Sequence, residues 1–477
     1  MITSERMATI DRNAEALGIP RKQLMESSGN AVAKTVKDIG NPGDSVAIIA
    51  GRGNNGGDGF ACARFLSDFE VTVYLLGRPE SIRTQITKEN WHALQQAEIS
   101  THSVTDITNF ELGECDVIVD AMLGTGITGE LREPERTAAE IINNSNARVV
   151  AVDVPSGIDA DDESHSPIHV QSDHIVTFHD MKPGLTAYED ITVADIGIPE
   201  AAEVFTGPGD LLHLDRPATS HKGDFGRVGI IGGGPYTGAP VLSAKAALRG
   251  GADLVYLFLP ETISETAQGF SPDLIVRDYK GSYLSSDNIS TLREFIDMCD
   301  SLVIGPGLGD KRETLDTIAE ILTDYTGPAI VDADALSIIP EVSTSANLLC
   351  TPHQGELAEM GGPRREQWRE RKSAVESFAH EVGHAFVVKG AYDIISNGDQ
   401  TRVNRTGNPG MTVGGTGDVL AGLAGALISI TDPLSAGVMA AYTNGAAGDT
   451  AYETYHNSLT ATDIIDNIPG ILWQNHD

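Results

Sequence analysis

A glycine-dense loop in the last quarter of the chain combines features that phosphoryl transfer needs. Residues 407–420 read GNPGMTVGGTGDVL. Glycines let backbone N–H groups surround an anion, and an apolar helix beginning near Gly417 would add the positive end of its dipole. Asp418 stands where a carboxylate base could reach a hydroxyl group. The alternative is a tight turn before a core helix, so the interpretation depends on the other motifs.

A second glycine-rich loop directly follows the first apolar run of the chain. The run is SVAIIA at 45–50, and GRGNNGGDG follows it at 51–59. Strand, glycine loop and helix in this order seat a pyrophosphate in a doubly wound sheet. Two asparagines and an aspartate in the loop depart from the standard dinucleotide fingerprint and add side-chain oxygens. A sharp turn capped by Asp58 is the alternative.

Further polar loops follow other predicted strands of this region. They are DAMLGTG at 120–126, DVPSGID at 153–159 and FHDMKPG at 178–184. Because ligands of such sheets bind at the carboxyl ends of the strands, we expect these loops to converge. Asn55, Asp120 and Ser156 would then offer hard oxygens that suit a weakly held cation such as potassium, with Asp153 left to face a substrate. Each side chain could instead cap a helix or a turn.

The pattern of elements indicates an α/β protein of two domains, with the boundary near residue 210. Helices are expected over roughly 4–17 and 21–39. Strands of the first domain, a Rossmann-like doubly wound sheet over 1–210, are predicted at the following positions: 45–50, 71–76, 116–120 and 148–153. Turn residues between 206 and 223 indicate a linker. Strands of the second domain, 211–477, are predicted at 227–231, 254–258, 274–276, 302–304, 329–331 and 386–388, followed by an Asn-Gly hairpin after Lys389 and three apolar helices from Gly415.

The second domain carries its own series of polar and glycine-rich motifs, most of which follow predicted strands. They are HKGDFGR at 221–227, GGGPYTGAP at 232–240, LRGGAD at 248–253, GPGLG at 305–309, DADAL at 332–336, TPHQGE at 351–356 and KGAYD at 389–393. Backbone amides of 389–393 could meet a nucleotide phosphate, and the loop ending at Asp418 could close the site. For His353, the alternative is a satisfied histidine at a strand end.

Composition excludes several classes of partner. The 33 lysines and arginines stand against 68 aspartates and glutamates, for a net charge of -35. Such a surface repels nucleic acid and anionic membranes, and no apolar run is long enough to span a bilayer. We expect a cytoplasmic homo-oligomer. The four cysteines lack CxxC spacing, which argues against a disulfide framework or a zinc site.

The motifs of the first domain resemble those of the NAD(P)H-hydrate epimerases: a GxGNNGGDG loop, a DALLGTG-like turn and a DxPSG turn. The resemblance implies interconversion of the R and S forms at C6 of a hydrated nicotinamide, with potassium held by Asn55, Asp120 and Ser156. We interpret Asp153 as the catalytic residue, which moves the C6 hydroxyl proton while the ring opens and recloses. The implied substrate contacts are Asn54, Asn55, Gly56, Gly57, Asp58, Gly124, Thr125, Gly126, Ile127, Thr128, Gly129, Glu130 and Asp153.

The second domain resembles the ADP- or ATP-dependent NAD(P)H-hydrate dehydratases of the ribokinase-like superfamily, through HKGDFGRV, GPGLG, TPHxGE and GGTGDVLAG. The resemblance therefore implies a ribokinase-like α/β/α domain, and both domains in this order resemble the bifunctional NAD(P)H-hydrate repair enzymes. Nucleotide contacts are implied at Lys389, Gly390, Ala391, Tyr392, Asp393 and Gly417, and substrate contacts at Ala252, Gly307, His353 and Asp418. Asp253 stands where a glycine is common, and Gln354 where a proline is common.

The implied chemistry is a kinase step used for elimination. Asp418 would take the proton of the C6 hydroxyl as it attacks the terminal phosphate of ADP, with Mg²⁺ and the glycine loop stabilising the phosphoryl group. Loss of phosphate would restore the dihydropyridine, giving NAD(P)H, AMP and phosphate. Two alternatives stay open: a small-alcohol kinase of the ribokinase-like type, and a first domain that only binds a ligand or a partner.

The acidic composition generates a prediction about salt. The acids are spread along the chain, which is typical of a solvated surface adapted to concentrated salt, so molar potassium chloride should screen their mutual repulsion. We expect the melting temperature to rise over molar potassium chloride in a thermal scan. A melting temperature that is indifferent to salt would contradict a halophilic surface.

Overall fold

Two compact units make up the chain. The computed structural model describes residues 1–126, 129–162 and 164–473. One unit comprises residues 1–202, and the other begins at residue 203. The segment that the sequence predicts as a linker begins with packed structure, since the Thr206 amide donates to Val403 O at 2.9 Å and Asp210 pairs with Arg402 at 2.6 Å. The domain boundary near residue 210 stays a prediction.

The first unit is built around a parallel sheet. Its described strands, β1 to β7, are Ser45–Ala50, Glu70–Leu76, Ser100–Val104, Val117–Ala121, Arg148–Val152, His174–Phe178 and Ile191–Ala194. Their order in the sheet is β3-β2-β1-β4-β5-β6-β7. The helices α1 to α6 are Ser4–Ala16, Arg21–Ile39, Asn54–Phe65, Gln85–Gln96, Glu135–Asn143 and Glu200–Val204. The central strands β1 and β4 are almost wholly buried, which explains their continuous apolar sequence.

The second unit is a larger sheet that ends in an antiparallel hairpin. Its described strands, β8 to β16, are Arg227–Ile231, Leu254–Pro260, Ile275–Tyr279, Ser301–Ile304, Pro328–Val331, Asn347–Cys350, Ala385–Val388, Asp393–Ser396 and Thr401–Asn404. The order is β10-β9-β8-β11-β12-β13-β14-β15-β16, with β15 and β16 antiparallel. The helices α7 to α15 are Gly238–Arg249, Glu261–Gln268, Ile289–Ile296, Arg312–Asp324, Gln354–Glu359, Trp368–Val382, Thr416–Leu427, Pro433–Tyr455 and Ala461–Leu472.

Short 3₁₀ helices complete the connections. They cover Pro79–Ser81, Ile107–Asn109, Pro183–Leu185, Pro208–Leu211, Ser286–Asn288, Ala333–Glu341, Pro409–Thr412 and His456–Ser458. Among the residues that the structure describes, no helix is long and apolar enough to cross a membrane.

The α/β fold class is confirmed, together with the strands predicted from apolar runs. The hairpin is present as β15 and β16, and Gly398 of its Asn-Gly turn has a φ of +93°. Strands β3, β7 and β13 were not predicted, and β6 was implied only by the loop at 178–184. Strand β3 is largely polar and exposed, and β7 and β13 are only four residues long, so none of these three carries a clear periodic signal.

Both sheets have a switch point, where the strand order reverses direction. In the first unit it falls between β1 and β4, and in the second between β8 and β11. Loops at the carboxyl ends of the strands beside a switch point leave a crevice in which ligands bind. The crevice of the first unit therefore lies between the loops that follow β1 and β4, at 51–53 and 122–126.

A close approach of α7 and α13 generates a prediction about stability. A Cβ at Gly422 would lie 1.9 Å from Ser243 O, whereas a Cβ at Gly470 on α15 would meet nothing within 4 Å. Gly422→Ala should therefore destabilise the second unit by about 1–3 kcal/mol, because the helices must separate. Gly470→Ala is the matched control and should be neutral or stabilising by about 0.5–1 kcal/mol. Urea unfolding measures both, and equal stabilities would contradict the packing argument.

Candidate active sites

The first site is a cavity of about 420 Å³ at the carboxyl edge of the first sheet. Predicted substrate contacts that line it are Asn54, Asn55, Asp58, Gly124, Thr125, Gly126 and Asp153. Gly56 and Gly57 are buried within α3 and lie outside this lining, and Gly129 and Glu130 are exposed beyond it. The predicted contacts Ile127 and Thr128 fall outside the described residues. Phe178 and Lys182 also line it, so the structure brings residues of all four predicted loops to one cavity.

Asp153 is held in an unusual conformation by several partners. Its φ is +66°, a region that costs a non-glycine residue free energy and is found mainly at functional sites. The Lys182 ammonium lies 2.8 Å from Asp153 Oδ1, and Thr177 Oγ1 donates to the same oxygen at 3.1 Å. Lys182 is only 1% exposed and also donates to Phe178 O at 2.7 Å. Asp153 is therefore an oriented, ion-paired carboxylate at the cavity wall.

Two further carboxyl groups line the same cavity. Burial, more than any neighbouring charge, raises the pKa of Asp11 to about 6. Burial and then the charges of Asp153 and Asp11 raise the pKa of Asp58 well above its usual value. Neither Asp11 nor Lys182 was singled out from the sequence. Lys182 lay within a quoted loop, but Asp11 lies on α1, where a local pattern offers no sign of the cavity.

Asn55, Asp120 and Ser156, the predicted potassium ligands, meet around the backbone of Leu123. Ser156 donates from its amide and hydroxyl to Asp120 at 2.8 and 2.7 Å. Ser156 Oγ accepts from Leu123 N at 3.0 Å, and Asn55 Nδ2 donates to Leu123 O at 2.9 Å. Burial raises the pKa of Asp120 to about 6, a cost that an adjacent cation would offset. This clustered set of oxygens fits a potassium ion.

The second site centres on a half-buried lysine and a buried aspartate at the ends of β12, β13 and β14. Lys389 Nζ lies 2.9 Å from Asp332 Oδ1, and Thr351 Oγ1 donates to that oxygen at 2.8 Å. Burial opposes the charged ammonium, but the charges of Asp332 and Glu356 help raise the pKa of Lys389 above its usual value. Asp332 and Thr351 were not named as site residues, although each directly follows a strand and so carried the signal that marked the others.

The glycine-dense loop 407–420 places the carboxylate of Asp418 beside this pair. Gly415 precedes α13 with a φ of +96°, and a Cβ at Gly417 would lie 3.4 Å from Lys389 Nζ. Asp418 lies in the first turn of α13. Burial, followed by the charge of Asp332, raises the pKa of Asp418 to about 6, while Lys389 opposes the rise. The structure therefore brings together a helix N-terminus, an ammonium and a carboxylate, as phosphoryl transfer requires.

The predicted nucleotide segment 389–393 is a turn closed by its own last residue. Gly390 N donates to Asp393 Oδ1 at 2.9 Å, and Asn404 Nδ2 donates to Asp393 Oδ2 at 2.9 Å. Asp393 thus shapes the turn through its side chain. Ala391 and Tyr392 line a neighbouring pocket of about 450 Å³, where Tyr392 stacks on Trp368.

Three other predicted contacts of this domain lie in different settings. Gly307 follows β11 with a φ of +69°, and a Cβ there would lie 2.8 Å from Tyr236 O. His353 caps α11, since its Nδ1 accepts from Gly355 N and Glu356 N at 2.9 and 3.1 Å. Ala252 is buried in the core before β9, at the opposite end of the strands. The structure does not bring Ala252 together with the other residues.

The second site offers few side-chain ligands to a divalent metal ion among the described residues. Within the described ranges, no group of three His, Cys, Asp or Glu side chains is placed to hold a metal ion. Mg²⁺ commonly binds through one or two carboxylates together with substrate phosphates, and the second site offers the carboxylates of Asp332 and Asp418 for this purpose.

The fold and the two sites define a two-domain α/β enzyme whose sheet edges are built for anionic nucleotide ligands. Residues 228–470 match the family model described as NAD(P)H-hydrate dehydratase, and residues 21–184 match the model described as YjeF-related protein N-terminus. A ribokinase-like superfamily protein from Enterococcus faecalis V583 has a TM-score of 0.51 and 24% identity, covering 57% of this chain and 95% of that chain. This likeness bears on the fold alone.

Relatives extend the match over nearly the full chain. The bifunctional NAD(P)H-hydrate repair enzyme Nnr of Methanothermobacter thermautotrophicus is 43% identical, over 98% of this chain and 94% of that protein. The enzyme of the same name from Archaeoglobus fulgidus is 40% identical, over 98% of this chain and 97% of that protein. The chain therefore belongs to the family of bifunctional NAD(P)H-hydrate repair enzymes, as its motifs predicted.

Proposed function

We propose that this protein repairs hydrated nicotinamide cofactors with two active sites. The first domain interconverts the R and S forms of NAD(P)HX, and the second converts the S form to NAD(P)H at the expense of ADP, releasing AMP and phosphate. The observation that carries the proposal is the placement of Asp418 beside Lys389 at the start of α13. A base next to an anion-binding helix end is suited to activate a hydroxyl toward a phosphate.

In the first domain, Asp153 is the base. Its ion pair with Lys182 orients its carboxylate in the wall of the cavity. It takes the proton of the C6 hydroxyl, so that the ring opens to an aldehyde and can reclose on the other face. Asn54, Asp58 and the loop 124–130 hold the dinucleotide around it.

In the second domain, Asp418 is the base. The C6 hydroxyl loses its proton to this carboxylate as the oxygen attacks the terminal phosphate of ADP, which expels AMP. Phosphate then leaves C6 with the C6–O bonding electrons while the N1 lone pair forms the C6=N1 bond, and loss of a proton from C5 restores the C5=C6 double bond of NAD(P)H. Gly417 and the 389–393 turn hold the nucleotide, while Lys389 offsets phosphate charge. Gly307 and His353 contact the substrate. Ala252 stays a proposed contact through the family resemblance alone.

Two cations complete the proposal. Potassium would be held by Asn55, Asp120 and Ser156 and would supply a positive charge for the substrate phosphates. Magnesium would accompany the nucleotide and neutralise charge on the transferring phosphoryl group. The homo-oligomeric state, the cytoplasmic location, the salt-adapted surface and the preference for ADP over ATP are also part of this proposal.

One assay tests the proposed function as a whole. Purified R and S epimers of hydrated NADH and NADPH are incubated with ADP or ATP, with and without potassium. We expect ADP-dependent recovery of NAD(P)H absorbance from the S epimer, and potassium-stimulated consumption of the R epimer through the S form. A stable phosphorylated product from a small alcohol would instead indicate a kinase. Failure to consume either epimer under any condition would overturn the proposal.

Substitution of the second carboxylate makes a sharper prediction. Asp418→Asn should lower dehydration by about 10²–10⁴-fold, since the hydroxyl loses its base, while ADP binding and epimerisation persist. Because burial raises the pKa of Asp418 to about 6, the wild-type rate should rise as pH increases through that value. Asp466→Asn, at an exposed site on α15, is the control. Substantial turnover by Asp418→Asn would contradict the assigned role.

A further inference from the structure

Asp11 is a carboxyl group in the first cavity to which the proposed function gives no role. It lies on α1 and lines the cavity together with Asp58, Asp153 and Lys182. Its Oδ1 atom is buried, and no hydrogen-bond partner for that atom is found among the described residues. A polar oxygen that is kept dry and unpartnered at a cavity wall is available to a ligand.

The charges around Asp11 separate its behaviour from that of Asp153. Lys182 pairs directly with Asp153, so this one buried ammonium stabilises the negative charge of that carboxylate. Arg21 and Lys182 face Asp11 and favour its ionised form, whereas Asp153 and Glu15 oppose it. Asp58 also faces Asp11, since the charge of Asp11 contributes to the raised pKa of Asp58. Burial exceeds each of these effects and raises the pKa of Asp11 to about 6. The cavity thus holds an Asp153 carboxylate that is paired with Lys182 and an Asp11 carboxyl group whose pKa is raised to about 6.

Ring opening at C6 needs a base and an acid at the same time. As the hydroxyl proton leaves, the O–H electrons form the aldehyde C=O bond, and the N1–C6 bonding electrons move to the ring nitrogen N1. That nitrogen must then gain a proton. Rotation about C5–C6 presents the other face of the aldehyde, and reclosure reverses both proton transfers. The cycle consumes no other reagent.

We propose that Asp11 is a second catalytic residue of the epimerase site, whose carboxylic acid protonates N1 while Asp153 takes the C6 hydroxyl proton. The assignment rests on the proposed epimerase function. Asp153 and Asp11 return to their starting forms when the ring recloses. Two carboxyl groups that differ in environment thus divide the base and acid roles, as in other enzymes that use such pairs.

The neighbouring groups are less suited to this acid role. Lys182 is the counter-charge of Asp153, so loss of its proton would leave a desolvated carboxylate unpaired. Asp58 experiences burial together with the charges of both other carboxylates, which makes its proton harder to release. Asp11, with a pKa of about 6, is better matched to proton transfer near neutral pH.

The experiment uses the full chain without ADP, so that epimerisation proceeds without dehydration. Epimers are separated by chromatography, and the uncatalysed rate is subtracted. Asp11→Asn should lower kcat for epimerisation by about 10²–10⁴-fold with little change in KM. Asp38→Asn removes an exposed carboxylate from α2 with the same change of charge and should keep the wild-type rate. Dehydration of the S epimer with ADP should be unchanged in both variants.

The pH profile separates an acid from a structural residue. Wild-type kcat should fall as pH rises through the range in which Asp11 loses its proton, and Asp11→Asn should lack this descending limb. Asp11→Glu keeps a carboxylic acid and should retain the limb at a reduced rate, which serves as the test if Asp11→Asn does not fold. Asp153→Asn, which removes the base, should lower kcat across the whole pH range.

Several outcomes would overturn the assignment. These are an unchanged kcat in Asp11→Asn, a raised KM with kcat intact, which indicates a binding contact only, or loss of the descending limb in Asp11→Glu. A wild-type chain that epimerises no substrate would overturn the proposed function, and the role of Asp11 with it. An active wild-type chain with an indifferent Asp11→Asn overturns only the role of Asp11.

Discussion

Each site depends on one lysine that pairs with one aspartate, and this lysine is buried in the first domain and half-buried in the second. Lys182 holds Asp153 in the first domain, and Lys389 holds Asp332 in the second. Removing charges from water costs several kcal/mol for each ion, so a buried carboxylate must be paired or protonated. Burial raises the pKa of a further carboxyl group near each lysine, Asp11 in the first domain and Asp418 in the second. Each site thus holds an ion-paired carboxylate together with a carboxyl group of raised pKa.

Short-range interactions also explain how an acidic protein can bind anionic ligands. The net charge of -35 acts over the whole surface, but salt screens exposed charges beyond about 8–10 Å. The starts of α3 and α13 act at contact distance, where backbone N–H groups point toward a bound anion. Attraction therefore comes from the sheet edges, while the acidic surface affects solubility and the approach of ligands.

Much of the fold and part of the sites could be predicted from local patterns. Buried parallel strands are continuous apolar runs, and residues directly after them share one sheet edge by topology, which is why Asn55, Asp120 and Ser156 could be grouped. Asp11 could not be found in this way, because it reaches the cavity from a helix that precedes the sheet. The pairing of Lys182 depends equally on tertiary packing. Ala252 shows the converse, since a motif match does not by itself place a residue at the site.

The glycines of these motifs also have a packing role beside the ligand sites. A Cβ at Gly51 would lie 1.9 Å from Met122 O, and one at Gly305 would lie 1.8 Å from Asp332 O. These glycines therefore let neighbouring strand ends approach each other, in addition to leaving room for a phosphate. At Gly305 the neighbour is the backbone of the aspartate that pairs with Lys389. A side chain at Gly305 would displace the Asp332–Lys389 ion pair. The close backbone contact at this glycine therefore helps to position the charged groups of the site.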